Sequence, residues 1–272
     1  GLNAMIVDST ALPEQAVRDI LASAFQSAGQ RCSALRVLYL QEDTAPRIIE
    51  MLLGAMDELA VGDPWQLVTD IGPVIDHKAK SKIDVHVDEF ASRGAVLKQL
   101  AVPPEGTFVG PAVLGIGGIA DLKEEIFGPI LHVATFKSGQ LDAVIEAINA
   151  AGYGLTFGLH TRIDARVEHV ASRIRAGNIY VNRNQIGAVV GSQPFGGEGL
   201  SGTGPKAGGP NYLPRFSRPT ETHVPSTAIN ALSGLSIGFA IAAVDQVKAA
   251  FEKRHLAPIE LPMPGPTGER NT

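Results

Sequence analysis

Cysteine is nearly absent from this chain, since Cys32 is the only one in 272 residues. A single thiol can form neither an intrachain disulfide nor a cysteine-based metal site. Two interpretations remain, a small buried side chain or a nucleophile. Cys32 follows Gly29 and lies between Arg31 and Ser33, in a polar turn rather than an apolar run. Because a neighbouring cation and a helix terminus both favour the thiolate that attacks carbonyl carbons, the turn supports the nucleophile hypothesis.

The chain also lacks an excess of positive charge and several common sequence motifs, and each of these absences argues against a class of protein. The net charge is −5, with 23 Lys and Arg against 28 Asp and Glu, which argues against nucleic acid as the main partner. The seven histidines show no zinc-ligand spacing, so we expect no metal site. Neither a P-loop nor a Gly-x-Ser-x-Gly elbow is present. No signal peptide is visible, and the uncharged run 229–244 is shorter than the roughly 20 apolar residues of a membrane-spanning helix.

Strand and helix patterns alternate along most of the chain. A buried strand is predicted at residues 4–8, a helix at 13–28 just before the Cys32 turn, and a later strand at 107–114. The alternation predicts an α/β fold with an open, mostly parallel sheet and helices on both faces. In such sheets, ligand sites gather beyond the carboxyl ends of the strands. Frequent Pro and Gly after residue 205 predict a boundary near Pro225.

Two further runs carry groups that suit ligand binding. Residues 123–129 read Lys-Glu-Glu-Ile-Phe-Gly-Pro, where Glu125 is placed to accept hydrogen bonds from sugar hydroxyls and Phe127 to pack beside a flat heterocycle. The alternative is a solvated helix end followed by a core phenylalanine. Residues 187–197 are rich in small residues whose backbone N–H groups can bind an anion. The alternative there is a flexible surface loop.

The ordered set of runs resembles the aldehyde dehydrogenase superfamily over roughly residues 1–225. Residues 29–32 (Gly-Gln-Arg-Cys) resemble its nucleophile motif. Residues 125–129 (Glu-Ile-Phe-Gly-Pro) resemble its cofactor-ribose motif, and residues 177–182 (Gly-Asn-Ile-Tyr-Val-Asn) resemble its late strand. The implied fold is the catalytic, thiol-bearing domain of that superfamily.

Finer features resemble one branch of the superfamily. Ser33, the loop at 187–197 and the stretch at 202–210 are similar to Δ1-pyrroline-5-carboxylate dehydrogenases. The tail at 264–269 resembles the segment that follows this module in bifunctional proline utilization A proteins. In those proteins a proline dehydrogenase domain that carries FAD precedes the aldehyde dehydrogenase part on one chain.

The resemblance implies a reaction and a set of site residues. The reaction is the oxidation of L-glutamate γ-semialdehyde to L-glutamate with NAD. Cys32 would be the catalytic nucleophile, and Glu125 and Phe127 would bind the cofactor. The substrate-binding residues would be Arg31, Ser33, Gly187, Ala188 and Phe195.

The resemblance also implies how the chain is organised. Residues 1–185 would form the catalytic domain, 186–225 a substrate-anchor loop with an oligomerisation strand at 219–224, and 226–272 a linker or the start of a C-terminal extension. Gly1-Leu2-Asn3 matches only the end of the family's general-base motif. We therefore expect the base glutamate, the NAD-binding domain and any proline dehydrogenase domain to precede Gly1.

The implied assembly is a homodimer or a higher homo-oligomer in the bacterial cytoplasm, with no nucleic acid bound by this segment. Any peripheral membrane association would be made through other domains. Three alternatives stay open. The first is an aldehyde dehydrogenase for another semialdehyde or a simple aliphatic aldehyde. The second is a cysteine hydrolase, which would need a histidine beside the thiol. The third is a non-catalytic role in assembly.

Overall fold

The structure is a computed structural model that describes residues 1–189 and 192–216. The chain divides into two units: the described residues up to Pro210 belong to the first, and residues 211–216, with a short 3-10 turn at Leu213–Phe216, belong to the second. The predicted strand at 219–224, the boundary near Pro225 and the extension at 226–272 lie outside the described residues. Those three remain predictions.

Seven of the strands in the described part of the chain make one sheet. The nine strands of the described residues are β1 (Ala4–Val7), β2 (Val37–Gln41), β3 (Val96–Gln99), β4 (Ala112–Gly115), β5 (Ile130–Phe136), β6 (Tyr153–Gly154), β7 (Thr156–His160), β8 (Asn178–Val181) and β9 (Glu198–Gly199). The order across the sheet is β3-β4-β5-β2-β1-β7-β8, and every pairing is parallel except that of β3 with β4. β6 and β9 form a separate antiparallel pair. The predicted α/β fold with a mostly parallel sheet is confirmed.

Helices connect most of the parallel strands. They are α1 (Pro13–Phe25), α2 (Ala45–Met56), α3 (His77–Ser92), α4 (Leu141–Ala150) and α5 (Asp164–Ala171). In α2 the buried residues Ile48, Leu52 and Met56 recur every fourth position, which places them on one face of the helix. At the start of α3, the Asp76 carboxylate accepts a hydrogen bond from the Ala79 N–H at 2.7 Å and so caps the helix. None of the helices described is long and apolar enough to cross a bilayer.

The centre of the sheet is covered on both faces. Every residue of β1 and of β2 is buried, although successive side chains of a strand point to opposite faces. Edge strand β3 instead alternates between partly buried and exposed residues. The predicted cover on both faces therefore holds at the central strands, where the core lies.

Two predicted boundaries are wrong. The helix predicted at 13–28 ends at Phe25, because Ser27 and Ala28 adopt left-handed backbone angles, with φ of 58° and 53°. The strand predicted at 107–114 begins only at Ala112. Thr107 bonds elsewhere: its carbonyl accepts from the Val74 N–H at 2.9 Å and its hydroxyl donates to the Val74 carbonyl at 2.6 Å.

Candidate active site

The turn that carries Cys32 is held in an unusual backbone conformation. It starts where α1 ends, and Ser27, Ala28 and Gly29 all have positive φ angles, of 58°, 53° and 64°. Left-handed backbone is costly for residues other than glycine, so the surrounding structure has to hold this segment in place. The side chain of Cys32 is exposed. The structure thus excludes the interpretation of Cys32 as a buried core residue.

Gly29 lets this turn approach the segment before β5. A Cβ atom on Gly29 would lie 2.0 Å from the carbonyl oxygen of Gly128 and 2.9 Å from that of Ala24. No side chain fits in such a space. The Cys32 turn and the segment that contains Glu125 and Phe127 are therefore close neighbours, although they are far apart in the sequence.

Asn3 fixes the Cys32 turn from the opposite side. Its buried amide donates hydrogen bonds to the carbonyl of Cys32 at 2.7 Å and to that of Ala34 at 3.0 Å. Its side-chain oxygen accepts a bond from the Thr156 N–H at 3.3 Å, at the start of β7. The side chain of Asn3, which directly precedes β1, thereby connects the Cys32 turn to β7. The sequence analysis assigned no such role to Asn3.

Glu125 and Phe127 both lie against the side chain of Arg36. Oε1 of Glu125 accepts hydrogen bonds from Nε and Nη2 of Arg36 at 3.3 and 3.2 Å. The guanidinium of Arg36 lies 5.2 Å from the centroid of the Phe127 ring. Glu125 is 22% exposed and Phe127 is 45% exposed, so both have a surface available to a ligand.

The pKa of Arg36 reflects this setting. Burial lowers the pKa of the guanidinium below its usual value, while interactions with Glu125 and Cys32 oppose this shift. Arg36 immediately precedes β2 and its run of apolar residues. A charged residue in a buried strand is rare and is the signal that sequence reasoning missed.

The structure brings Arg31 close to the loop at 187–197. Gly187 has a φ of +71°, and a Cβ placed on it would lie 3.9 Å from Nη1 of Arg31. Arg31 also donates from Nε to the Ser27 hydroxyl at 3.0 Å. Ala188 follows Gly187 and is partly buried. Residues 190–191 of this loop lie outside the described part of the chain.

Phe195 is held by a different contact. Its backbone exchanges two hydrogen bonds with Ala207, at 3.0 and 2.9 Å, and its side chain is partly buried. In the described residues, neither Phe195 nor Ala188 makes a hydrogen bond to the Cys32 turn. Their substrate-binding roles stay predictions.

Ser33 contributes to the site through its backbone. Its carbonyl accepts hydrogen bonds from the Thr156 hydroxyl at 3.1 Å and from Nε2 of Gln185 at 3.3 Å. Gln185 is completely buried and precedes the loop at 187–197 by two residues, so it links that loop to the Cys32 turn. The Ser33 side chain is only 4% exposed. Its predicted role as a hydroxyl donor to substrate stays a prediction.

Three residues of the site lie on the amino-terminal side of sheet strands. Asn3 precedes β1, Cys32 precedes β2, and Glu125 precedes β5. The general expectation of a site beyond the carboxyl ends does not hold for them. Polar groups beyond the carboxyl end of β1 bond to one another instead. The Asp8 carboxylate accepts a hydrogen bond from the Thr10 hydroxyl at 2.6 Å and forms an ion pair with Arg166 at 2.5 Å.

A metal centre is not among the arrangements that the structure offers in its described residues. No group of three or more His, Cys, Asp and Glu side chains there is placed to hold an ion.

Comparison with known proteins identifies the family. Residues 1–222 match the aldehyde dehydrogenase family. The bifunctional protein PutA of Salmonella typhimurium is 48% identical, over 100% of this chain and 23% of the relative. The 1-pyrroline-5-carboxylate dehydrogenase of Geobacillus kaustophilus is 38% identical, over 78% of this chain and 42% of the relative. The chain thus spans less than half the length of these curated relatives.

Solved structures agree. A crystal structure of bifunctional proline utilization A superposes with a TM-score of 0.78 at 55% identity, over 80% of this chain and 22% of that protein. A 1-pyrroline-5-carboxylate dehydrogenase from Thermus, solved with bound NAD, gives a TM-score of 0.74 at 34% identity, over 79% of this chain and 42% of that protein. The chain described here belongs to the aldehyde dehydrogenase family.

Proposed function

We propose that this chain is the thiol-bearing part of an enzyme that oxidises L-glutamate γ-semialdehyde to L-glutamate with NAD. The observation that carries the proposal is the exposed Cys32 in a turn that Asn3 and Gly29 hold against the Glu125–Phe127 segment. The family match and the relatives named 1-pyrroline-5-carboxylate dehydrogenase support this substrate.

Cys32 forms the covalent intermediates of the proposed reaction. Its thiolate attacks the aldehyde carbon, and the carbonyl π electrons move to the oxygen to give a thiohemiacetal. In the described residues the backbone N–H of Cys32 donates to no protein acceptor, which leaves it available to the developing oxyanion. Such a donor contributes about 3–4 kcal/mol to lowering the barrier. Loss of hydride from the same carbon leaves a thioester on Cys32.

Glu125 and Phe127 fit the cofactor that this reaction needs. A partly exposed carboxylate can accept hydrogen bonds from ribose hydroxyls, and an exposed ring can pack against a flat heterocycle. When bound, NAD supplies the hydride acceptor. Holding that acceptor and the thiol in one geometry converts an encounter between separate reactants into a reaction within one complex.

The substrate proposal relies on groups that suit an amino-acid aldehyde. Backbone at Gly187 and Ala188 would bind the α-carboxylate, and Ser33 would add a donor. Phe195 would lie along the methylene groups. Arg31 lies beside Gly187 and adds positive potential for an anionic substrate. The proximity of Arg31 to Gly187 is the contact that supports this arrangement.

The remaining parts of the enzyme are proposed to lie outside this chain. Hydrolysis of the thioester needs a general base, which we place in a glutamate before Gly1 together with the dinucleotide-binding part. The PutA relatives suggest a proline dehydrogenase part with FAD on the same polypeptide. We also propose a homo-oligomer assembled through residues 219–224. The term complete enzyme is used below for the polypeptide that joins this chain to the dinucleotide-binding part.

The proposal is tested in the complete enzyme with Cys32→Ser and Cys32→Ala. Both variants should lose NADH production to background while they keep the NAD dissociation constant of the parent, because the thiol attacks substrate and does not hold cofactor. Mass spectrometry of the parent during turnover should show an acyl adduct on Cys32. Turnover by Cys32→Ala, or an adduct on another residue, contradicts the mechanism.

Substrate choice is measured by comparing kcat/KM across aldehydes. The value of kcat/KM for L-glutamate γ-semialdehyde should be higher than the values for succinate semialdehyde and propionaldehyde. The succinate analogue lacks the ammonium group and propionaldehyde lacks the carboxylate as well. Equal values would support the alternative of an aldehyde dehydrogenase for another substrate. An esterase assay without NAD, in which hydrolysis is faster than NADH production, would support the cysteine hydrolase.

A further inference from the structure

Arg36 is a fully buried charge, with a relative exposure of 0%. Removing a guanidinium from water costs several kcal/mol, and attraction to a partner offsets that cost only when the geometry is good. The burial of this charge next to a core strand therefore has to be compensated by the groups that the guanidinium contacts. These groups come from two different segments of the chain.

The guanidinium contacts three hydrogen-bond acceptors and one aromatic ring. Nη1 donates to the carbonyl of Gly128 at 2.9 Å, and Nε and Nη2 donate to Oε1 of Glu125 at 3.3 and 3.2 Å. Nη2 also lies 3.4 Å from the carbonyl of Arg31, in the nucleophile turn. The ring of Phe127 lies 5.2 Å from the guanidinium carbon. One side chain therefore touches both segments that the proposed reaction requires.

The backbone of Arg36 is fixed as firmly as its side chain. Its N–H donates to the carbonyl of Asn3 at 3.0 Å. Its carbonyl accepts from the backbone N–H of His132 at 2.9 Å and makes a second contact with Nδ1 of the same residue at 3.0 Å. The backbone of Arg36 and its guanidinium are therefore both held, by Asn3 before β1, by His132 in β5 and by the segment that precedes β5.

We infer that Arg36 is the positioning residue that holds Glu125 and Phe127 beside the Cys32 turn in the orientation for cofactor binding. The inference rests on the proposed function and adds to it a residue that need not touch substrate or cofactor itself. Arginine suits the task because its planar group offers five donors in fixed directions. Lysine would keep the charge but would lose the fixed fork that reaches Glu125 and Gly128 together.

The experiment compares Arg36→Gln and Arg36→Lys with the parent in the complete enzyme. The NAD dissociation constant, measured by fluorescence titration, should rise roughly 10- to 100-fold in Arg36→Gln, since hydrogen bonds to charged groups contribute about 1.5–3 kcal/mol. The KM for NAD should rise with it. Arg36→Lys should lie between the parent and Arg36→Gln. A cooperative thermal unfolding transition, measured by differential scanning fluorimetry, would show that both variants remain folded.

Arg166→Gln is the matched control. Arg166 pairs at 2.5 Å with the buried carboxylate of Asp8, at the opposite edge of the sheet. Its loss should lower the thermal midpoint without changing the NAD dissociation constant. A merely structural role for Arg36 predicts the same result for Arg36→Gln as for Arg166→Gln.

Each outcome decides the inference. A folded Arg36→Gln enzyme with the NAD affinity and KM of the parent overturns it. Failure of both Arg36 variants to fold, while Arg166→Gln folds, also overturns it, because Arg36 would then serve stability alone. If the parent binds NAD but oxidises no aldehyde, the proposed function fails, whereas weaker NAD binding by Arg36→Gln would still support the positioning role.

Discussion

At the scale of single residues, Asn3 determines where the Cys32 carbonyl lies. We predict that Asn3→Ala in the complete enzyme lowers kcat about tenfold or more and lowers the thermal midpoint, while NAD affinity is kept. The substitution leaves the carbonyls of Cys32 and Ala34 without their side-chain donor, at a cost of about 1–3 kcal/mol for each buried group. Steady-state kinetics and differential scanning fluorimetry measure the two effects.

Asn149 provides a matched control for Asn3. It also bridges two backbone groups with its amide, donating to the Arg173 carbonyl at 2.9 Å and accepting from the Arg175 N–H at 2.8 Å. Asn149→Ala should lower the thermal midpoint and leave kcat unchanged. Equal kcat values for the two variants would remove Asn3 from the set of positioning residues.

The sequence predicts some of these residues and not others, for physical reasons. Cys32 stands in a polar turn, a local context that argues against a core residue, and its side chain is exposed. The charge of Arg36 directly before an apolar strand marks it as unusual, but its role and that of Gln185 depend on partners that are distant in the chain. Arg36 bonds to Glu125 across 89 positions, and Gln185 bonds to Ser33 across 152. No local pattern encodes such pairs.

At the scale of elements, the approach of the Cys32 turn to Gly128 depends on Gly29. We predict that Gly29→Ala destabilises the protein strongly and lowers NADH production, because the new Cβ would lie 2.0 Å from the Gly128 carbonyl oxygen. The two segments would have to separate. Thermal unfolding and kcat measure the result.

Gly94→Ala is the control that separates the steric clash of a new Cβ from the cost of a left-handed backbone. Gly94 has nearly the same φ as Gly29, +65° against +64°, but nothing lies within 4 Å of its Cβ position. Its substitution should cost only the left-handed penalty, on the order of 1 kcal/mol. If Gly29→Ala were no more harmful than Gly94→Ala, the close approach to Gly128 would have no energetic importance.

The periodicity of the sequence predicts the elements better than it predicts their ends. The alternation of strands and helices is confirmed, because burial of apolar faces determines it locally. The end of α1 could not be predicted, since Ser27 and Ala28 are held left-handed by contacts of the whole turn. The start of β4 was missed for a similar reason, because Thr107 bonds to Val74 and not to the sheet.

At the scale of the whole molecule, strand order creates the site. β5, β2, β1 and β7 are neighbours, so the residues that enter these strands meet at one edge. Asn3, Cys32 and Glu125 become neighbours in this way. The sequence predicts a parallel sheet but not the order of its strands, because the order depends on which strands pair. For the same reason, the sequence could not show that the residues before β1, β2 and β5 meet one another.

The same sheet buries two histidines whose protonation should govern acid stability. Burial lowers the pKa of His132 from 6.5 to about 4, assisted by the nearby His86 and Arg36. Burial also lowers the pKa of His160 from 6.5 to about 4, with Arg18 adding to the effect and the Asp19 carboxylate 3.7 Å away. Both rings are therefore neutral in the folded protein near neutral pH, while an unfolded chain would protonate them below about pH 6.5.

We predict that stability is greatest above about pH 6.5 and falls as the pH decreases toward 4. In that window the unfolded chain binds protons that the folded chain does not, so each histidine lowers the free energy of unfolding by up to about 1.4 kcal/mol per pH unit. Thermal scans between about pH 7.5 and 4.5 measure the effect. His132→Asn should reduce the slope, because its amide can keep the bond to the Arg36 carbonyl without titrating. A midpoint that stays constant across these scans would contradict the prediction, since two buried neutral histidines require the folded state to lose stability as acid is added.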